Sequence, residues 1–145
     1  MTGTEVKKAL DGSRYQCWSY EDFNGFYVSL TNEEITWFFG VVADVLNATG
    51  ISIIVTPCDH ERIAGNTEAL GLYWWVDGEG QSHNFISIDT YFIHERYGVE
   101  VEGKHSIEPQ TLAEVICHEL AHRLSHCHTK KHAALTLQYI AMAAQ

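Results

Sequence analysis

Apolar residues recur along this chain at helical and strand intervals, and together they predict an α+β fold. Apolar positions in residues 31–50 lie on one helical face, and Thr31 with Glu34 forms a capping box at the start of that helix. A β-branched run over residues 51–56, ended by Pro57, predicts a buried strand. Residues 70–76 and 84–88 flank turn-forming residues at 77–80, so we expect them to form a hairpin.

Two more helices are predicted in the C-terminal third of the chain. Pro109 suits the first turn of a helix over 111–124, because the N–H that proline lacks has no partner there. Thr129 suits the N-cap of a last helix over about 130–144. We therefore expect an irregular lead-in over 1–30 and one domain over 31–145. In that domain a three- to four-stranded sheet with a hairpin follows the first helix. A charged connection over 95–105 then leads to the last two helices.

Composition and net charge argue against several classes of protein. The 145 residues are 46% hydrophobic, which argues against disorder, and their formal net charge is -10. Residues 1–103 hold five basic and sixteen acidic groups, so a partner nucleic acid or anionic lipid surface is not expected. Neither a signal peptide nor a membrane-spanning run is evident, which predicts a soluble cytoplasmic protein with free cysteines.

The strongest chemical signal is a cluster of histidines, five of which fall within residues 118–132. His118 and His122 are spaced i and i+4, so on a helix their imidazoles lie on one face and can bind one metal ion. Glu119 lies between them and can accept a proton from a water without being a ligand itself. Zinc suits nitrogen ligands, and catalytic zinc sites use three protein ligands plus water. The motif therefore predicts one catalytic Zn²⁺.

A third ligand has to come from the residues that follow the motif. His126 lies about 12 Å along an unbroken helix from His118, which is too far for one ion. His128 can return to the site if the helix ends after about Leu124, and residues 125–129 are poor helix formers. This favours His128. The alternatives for the third ligand are His126, His132, Cys127 and an acidic residue. His132 is also a candidate to lie behind the ligands without binding the ion itself.

The pattern His118-Glu119-x-x-His122-x5-His128, followed by an apolar terminal helix, resembles the small zinc metallopeptidases of the SprT-like, WLM and YgjP-like group. Residues 86–93 are similar to the segment that precedes the motif in that group. The resemblance covers about residues 31–145 and implies a zincin-like fold. It also implies that the three histidines bind zinc while Glu119 acts as general base and acid in peptide-bond hydrolysis.

The same motif is compatible with other functions, and further residues are candidates for the site. YbeY-like RNA-processing proteins share the ligand spacing but carry Gly after the first histidine, and a non-proteolytic zinc module is a further alternative. Glu114 is a candidate to orient His118, a solvated loop is favoured for His60, and a polypeptide substrate is expected along an edge strand at residues 84–88. Candidates to stabilise the oxyanion are Tyr91, His94, Tyr97, His105 and His132.

Overall fold

A computed structural model describes residues 30–61, 68–78, 81–98, 110–125 and 127–144. Within these ranges the chain forms four helices and a small mixed three-stranded sheet, which confirms the α+β prediction. In chain order the elements are α1 (Asn32–Thr49), β1 (Ile54–Cys58), β2 (Gly71–Gly78), β3 (Gln81–Asp89), α2 (Thr90–Tyr97), α3 (Leu112–Ala121) and α4 (Lys130–Ala143). The predicted lead-in lies outside the described residues except for Leu30, and the single-domain boundary at 31–145 stays a prediction.

The first helix follows its sequence signals closely. The Thr31 side chain accepts from the Glu34 N–H at 3.2 Å, and the Glu34 carboxylate accepts from the Thr31 N–H, so the predicted capping box is present. Gly50 ends the helix with φ at 70°, a left-handed conformation that glycine adopts without steric cost. The prediction for residues 31–50 is therefore confirmed.

The sheet has the strand order β1–β3–β2, which corrects one expectation and confirms another. β2 and β3 form the predicted antiparallel hairpin, with Trp74 opposite Phe85. β1 pairs in parallel with the other side of β3, where Ile54 lies opposite Phe85. Residues 84–88 therefore belong to the central strand, and the expectation that they form an edge was wrong. Phe85 to Asp89 are all buried, as expected where a strand has neighbours on both sides.

Several boundaries differ from the sequence-based expectation, and one helix was not predicted. β2 and β3 are both longer than the predicted ranges of 70–76 and 84–88. β1 begins three residues late and includes Pro57, which an edge strand tolerates because one side of its backbone needs no partner. Residues 90–97 form α2, a helix that their weak apolar periodicity does not predict, so the expectation of a connection over 95–105 was wrong for residues 95–97. α3 starts at Leu112 and ends at Ala121, whereas the expected range was 111–124, and Pro109 lies outside the described residues.

α3 lies at the centre of the packing. It contacts both hairpin strands on one side and the helices α1 and α4 on the others. Ile116, Cys117, Leu120 and Ala121 on this helix are fully buried, and such burial supplies most of the stabilisation of a small domain. Among the described residues, none of the helices has the length and apolar content needed to cross a bilayer. The helix α3, which carries His118 and Glu119, is buried over most of its length.

The described cysteines are all free thiols, and His60 is buried in the core. Cys58, Cys117 and Cys127 are free, as predicted for them, while Cys17 lies outside the described residues. Burial raises the pKa of Cys58 to about 12 and that of Cys117 to about 11, so both stay protonated. His60 is fully buried, and the expectation of a solvated loop there was wrong.

Candidate metal centre

The two motif histidines lie at the C-terminal end of α3. The helix begins with a second capping box, in which the Thr111 side chain accepts from the Glu114 N–H at 3.1 Å and the Glu114 carboxylate accepts from the Thr111 N–H at 3.3 Å. The carboxylate of Glu114 therefore serves the helix start, and its proposed role of orienting His118 receives no support. At the other end, the His122 N–H donates to the carbonyl of Glu119 at 3.0 Å, three residues back. The last turn is thus tightened before the chain leaves the helix.

A tight reversal after α3 brings His128 back to the helix. The imidazole Nδ1 of His122 lies 3.0 Å from the carbonyl of Ser125, so Nδ1 carries the hydrogen and Nε2 keeps its lone pair. The hydroxyl of Ser125 donates to the carbonyl of Cys127 at 3.3 Å and lies 3.1 Å from the hydroxyl of Thr129. These bonds fix the loop, and the predicted helix break is present three residues earlier than expected.

The reversal places the rings of His118 and His128 against each other. Their Nε2 atoms are 3.2 Å apart, and the ring centroids of His122 and His128 are 4.9 Å apart. His132, from the first turn of α4, joins them, and one ligand atom from each of the four histidines lies within 4.8 Å of the others. Such a set of imidazole nitrogens could hold a metal ion. His126 lies outside the described residues, and Cys127 is exposed beside the cluster.

Burial keeps the first histidine in the form that a metal needs. Burial, together with the neighbouring rings of His132, His122 and His128, lowers the pKa of His118 to about 4. A neutral imidazole is the metal-binding form of histidine, because the ring nitrogen must offer its lone pair. At neutral pH, His118 is therefore ready to bind without first losing a proton.

Glu119 is buried next to the histidines. One of its carboxylate oxygens lies 3.8 Å from Nε2 of His118, and only 4% of the residue is exposed. Burial raises the pKa of this carboxyl to about 8. A carboxyl group with a pKa near the working pH can both accept and return a proton, which is the requirement for general acid–base catalysis.

A cavity of about 420 Å³ opens beside the cluster. Its polar wall consists of His118, Glu119, His122 and His128 from α3 and the reversal. The facing wall is formed by residues at and just before the start of β2: Ala69, Leu70, Gly71, Leu72 and Tyr73. Val115 on α3 and Gln110 complete the lining. Three of the four histidines and the acid between them therefore face the same space.

The residues expected to stabilise an oxyanion do not meet at this cavity. Tyr91, His94 and Tyr97 lie on α2 and are not among its lining residues. His94 instead pairs with the buried carboxylate of Glu34, and Tyr97 packs against Trp37 with ring centroids 5.7 Å apart. His105 lies outside the described residues. His132 is 3% exposed and does not line the cavity.

Sequence reasoning missed three residues that the structure brings to the site. Gly71 faces Glu119, Tyr73 lines the cavity, and the carbonyl of Ser125 fixes the tautomer of His122. Burial raises the pKa of the Tyr73 hydroxyl. For Ser125, the turn-forming character of residues 125–129 is the sequence signal that could have identified it. The contacts of Gly71 and Tyr73 depend on how β2 packs against α3, which no local pattern encodes.

A buried polar network supports the cavity wall from behind. Nδ1 of His60 lies 2.9 Å from the carbonyl of Ala69, so it donates to that oxygen, and Nε2 accepts from the hydroxyl of Ser87 at 2.7 Å. The indole N–H of Trp74 donates to the same hydroxyl at 2.7 Å. The backbone N–H of Asp89 donates to the carbonyl of Leu70 at 2.9 Å. These bonds tie the residues just before β2 to the central strand.

Comparison of the chain with protein-family profiles, with curated proteins and with solved structures finds no significant match. The described residues provide four clustered histidines, a buried glutamate, and a cavity lined by that glutamate and three of the histidines.

Proposed function

We propose that the chain is a zinc-dependent metallopeptidase, in which His118, His122 and His128 bind one catalytic Zn²⁺ and Glu119 is the general base. The observation that carries the proposal is the 3.2 Å separation between the Nε2 atoms of His118 and His128. Zinc–nitrogen distances of 2.0–2.1 Å in a tetrahedral site place two ligand nitrogens about 3.3 Å apart. The pair is thus spaced as two ligands of one zinc ion would be.

The protonation states of the site residues suit hydrolysis. Bound zinc would polarise a scissile carbonyl and acidify a water molecule. The Glu119 carboxylate lies beside His118 and faces the cavity, so it can accept the proton of the attacking water and pass it to the leaving amine. Positive charge from the metal lowers the pKa of a neighbouring carboxyl, which would keep Glu119 ionised for this step despite its burial.

The substrate would be an extended polypeptide bound along β2. Within the described residues β2 pairs only with β3, so its other side is an edge of the sheet, and its first residues line the cavity. An extended peptide can add to such an edge through main-chain hydrogen bonds. This replaces the earlier expectation of binding along residues 84–88. The apolar wall formed by Leu70, Leu72 and Val115 would contact side chains next to the scissile bond.

The presence of Glu119 also favours a peptidase over the two alternatives. A YbeY-like RNA-processing site has Gly in this position, and a purely structural zinc site has no need for a buried carboxyl beside the ligands. The proposed kinship with the SprT-like, WLM and YgjP-like group rests on the motif residues and their spacing.

A peptide library tests the proposal. Zinc-loaded protein is incubated with a mixture of natural peptides, and new termini are identified by mass spectrometry. We expect cleavage by the wild type and a loss of about 10²–10⁴-fold in rate for Glu119→Gln, which removes the base but keeps the shape. Glu33→Gln, an exposed glutamate on α1, is the matched control and should cleave normally. A wild type that binds zinc and cleaves nothing would overturn the proposal.

A further inference from the structure

Of the four clustered histidines that the structure describes, His132 alone does not line the cavity. It lies at the first turn of α4, is 3% exposed and is absent from the cavity wall, whereas His118, His122 and His128 all line it. A position left open for a substrate must lie on the cavity side of the ion. His132 is therefore placed behind the ligands, away from the space that a substrate would enter.

The hydrogen bond of His132 decides which of its nitrogens is free. Its Nε2 lies 2.9 Å from the backbone carbonyl of His118. A carbonyl oxygen only accepts, so Nε2 carries the hydrogen and the lone pair of the neutral ring is on Nδ1. Ligation by His132 would therefore have to use Nδ1, while Nε2 holds the ring to the backbone of His118. The bond joins the first turn of α4 to the backbone of a ligand in the last turn of α3.

The ring of His132 also packs against both helix ligands. Its centroid lies 4.1 Å from that of His122, with the planes tilted by 32°, and 4.5 Å from that of His118, with the planes at 75°. The backbone N–H of His132 donates to the hydroxyl of Thr129 at 3.2 Å, and that hydroxyl lies 3.1 Å from the hydroxyl of Ser125. His132 is thus held by the same loop that returns His128 to the site.

From these contacts we propose that His132 is a positioning residue of the metal site and not a fourth ligand. Its Nε2–H bond fixes the backbone at His118, and its ring limits the orientations of the His118 and His122 imidazoles. The ion then keeps three histidine ligands and one position open toward the cavity. The inference rests on the metal site of the proposed function but not on peptide cleavage.

Two substitutions separate positioning from ligation. In His132→Gln the amide nitrogen reaches close to the place of the imidazole Nε2 and can donate to the same carbonyl. The glutamine side chain has no nitrogen in the place of Nδ1, so it keeps the positioning bond and removes the only atom of His132 that could bind the ion. In His132→Leu the ring is replaced by an apolar group that cannot donate. His128→Ala serves as the reference for loss of a ligand, and Lys131→Ala, an exposed neighbour, as the background control.

Zinc affinity is measured by competition with a chromophoric chelator, and coordination by the visible spectrum of the Co²⁺-loaded protein. We expect His132→Gln to keep the wild-type spectrum and a Kd within about threefold, while His132→Leu loses about 10- to 100-fold in affinity. Equal losses in His132→Gln and His128→Ala, with a changed Co²⁺ spectrum in both, would show a fourth ligand and overturn the inference. Wild-type affinity in His132→Leu would overturn it as well.

The readouts stay informative if one variant folds poorly. Should His132→Leu not fold, the Co²⁺ spectrum and zinc affinity of His132→Gln alone decide between the two roles. Because no readout uses peptide hydrolysis, a protein that binds zinc but cleaves no peptide contradicts the proposed function and leaves this inference intact.

Discussion

Gly71 on β2 packs directly against the side chain of Glu119 on α3. A Cβ atom added at Gly71 would lie 2.8 Å from Cγ of Glu119 and 3.1 Å from a methyl carbon of Val115. Real Cβ atoms do not approach other carbons so closely, so β2 and α3 can lie at their observed separation only because residue 71 has no side chain. This contact places the carboxyl of Glu119 between the strand and the histidines.

Gly71→Ala should therefore disturb both the fold and the site. Either the strand moves away from α3 or Glu119 turns out of its place, and we expect a loss of about 1–3 kcal/mol in the free energy of unfolding together with reduced peptide cleavage. Chemical denaturation and cleavage rates measure the two effects. Gly40→Ala is the control: Gly40 lies on an exposed helical face with no atom near its added Cβ, so this change should stabilise by up to about 1 kcal/mol. Equal behaviour of the two variants would refute the packing argument.

His128→Ala should weaken metal binding without unfolding the protein. His128 is exposed and contributes its ring to the cluster, so its loss removes a ligand and leaves the core untouched. We expect a drop of at least about 100-fold in zinc affinity and an unchanged melting temperature in the presence of a chelator. Cys127→Ser, the exposed neighbour and alternative ligand, should bind zinc like the wild type. Weakened zinc binding in Cys127→Ser, together with wild-type binding in His128→Ala, would instead identify Cys127 as the third ligand.

The pKa of Glu119 predicts how the stability of the metal-free protein varies with pH. Its folded value of about 8 lies above the ordinary value of 4.5, so between these limits the folded state binds more protons and stability falls as pH rises. His118, with a folded pKa of about 4, acts in the opposite direction but only below about pH 6.5. Between pH 6.5 and 8, the titration of Glu119 is therefore separated from that of His118 in the pH dependence of the free energy of unfolding.

Denaturation in a chelator at these two pH values tests that prediction. The wild type should lose about 1–2 kcal/mol more than Glu119→Gln between pH 6.5 and 8, since one proton corresponds to about 1.4 kcal/mol per pH unit. Parallel pH dependence in the two proteins would show that Glu119 titrates normally.

Metal removal should affect activity more than folding. The core on α3 is apolar and buried, and the histidines lie at the end of that helix. We expect a chelator to abolish peptide cleavage while the far-ultraviolet circular dichroism at 25 °C stays native, because a catalytic ion is not needed for folding in the way a structural one is. Complete unfolding by the chelator would instead indicate a structural metal site.

Local signals in the sequence predicted those parts of the fold that depend on neighbouring residues. The capping box of Thr31 and Glu34, the hairpin around residues 77–80 and the N-cap at Thr129 are all present. The i, i+4 spacing of His118 and His122 likewise determines their common helical face. Each of these features follows from contacts within a few residues along the chain.

Features that depend on tertiary packing were not predicted from the sequence. The central place of β3 depends on parallel pairing with β1, some thirty residues away in sequence, and no periodicity in residues 84–88 encodes it. The burial of His60 depends in the same way on its bond to Ser87, a residue of that central strand. Gly71 gave no signal, because its role exists only once α3 is packed against β2.

Zinc-dependent peptidase activity can be measured by titrating zinc into the metal-free protein while following peptide cleavage. We expect activity to rise linearly and to reach a plateau at one zinc per chain, and Glu119→Gln to take up the same single ion but stay inactive. Stoichiometric zinc binding without cleavage, or cleavage that persists in excess chelator, would rule out a zinc peptidase.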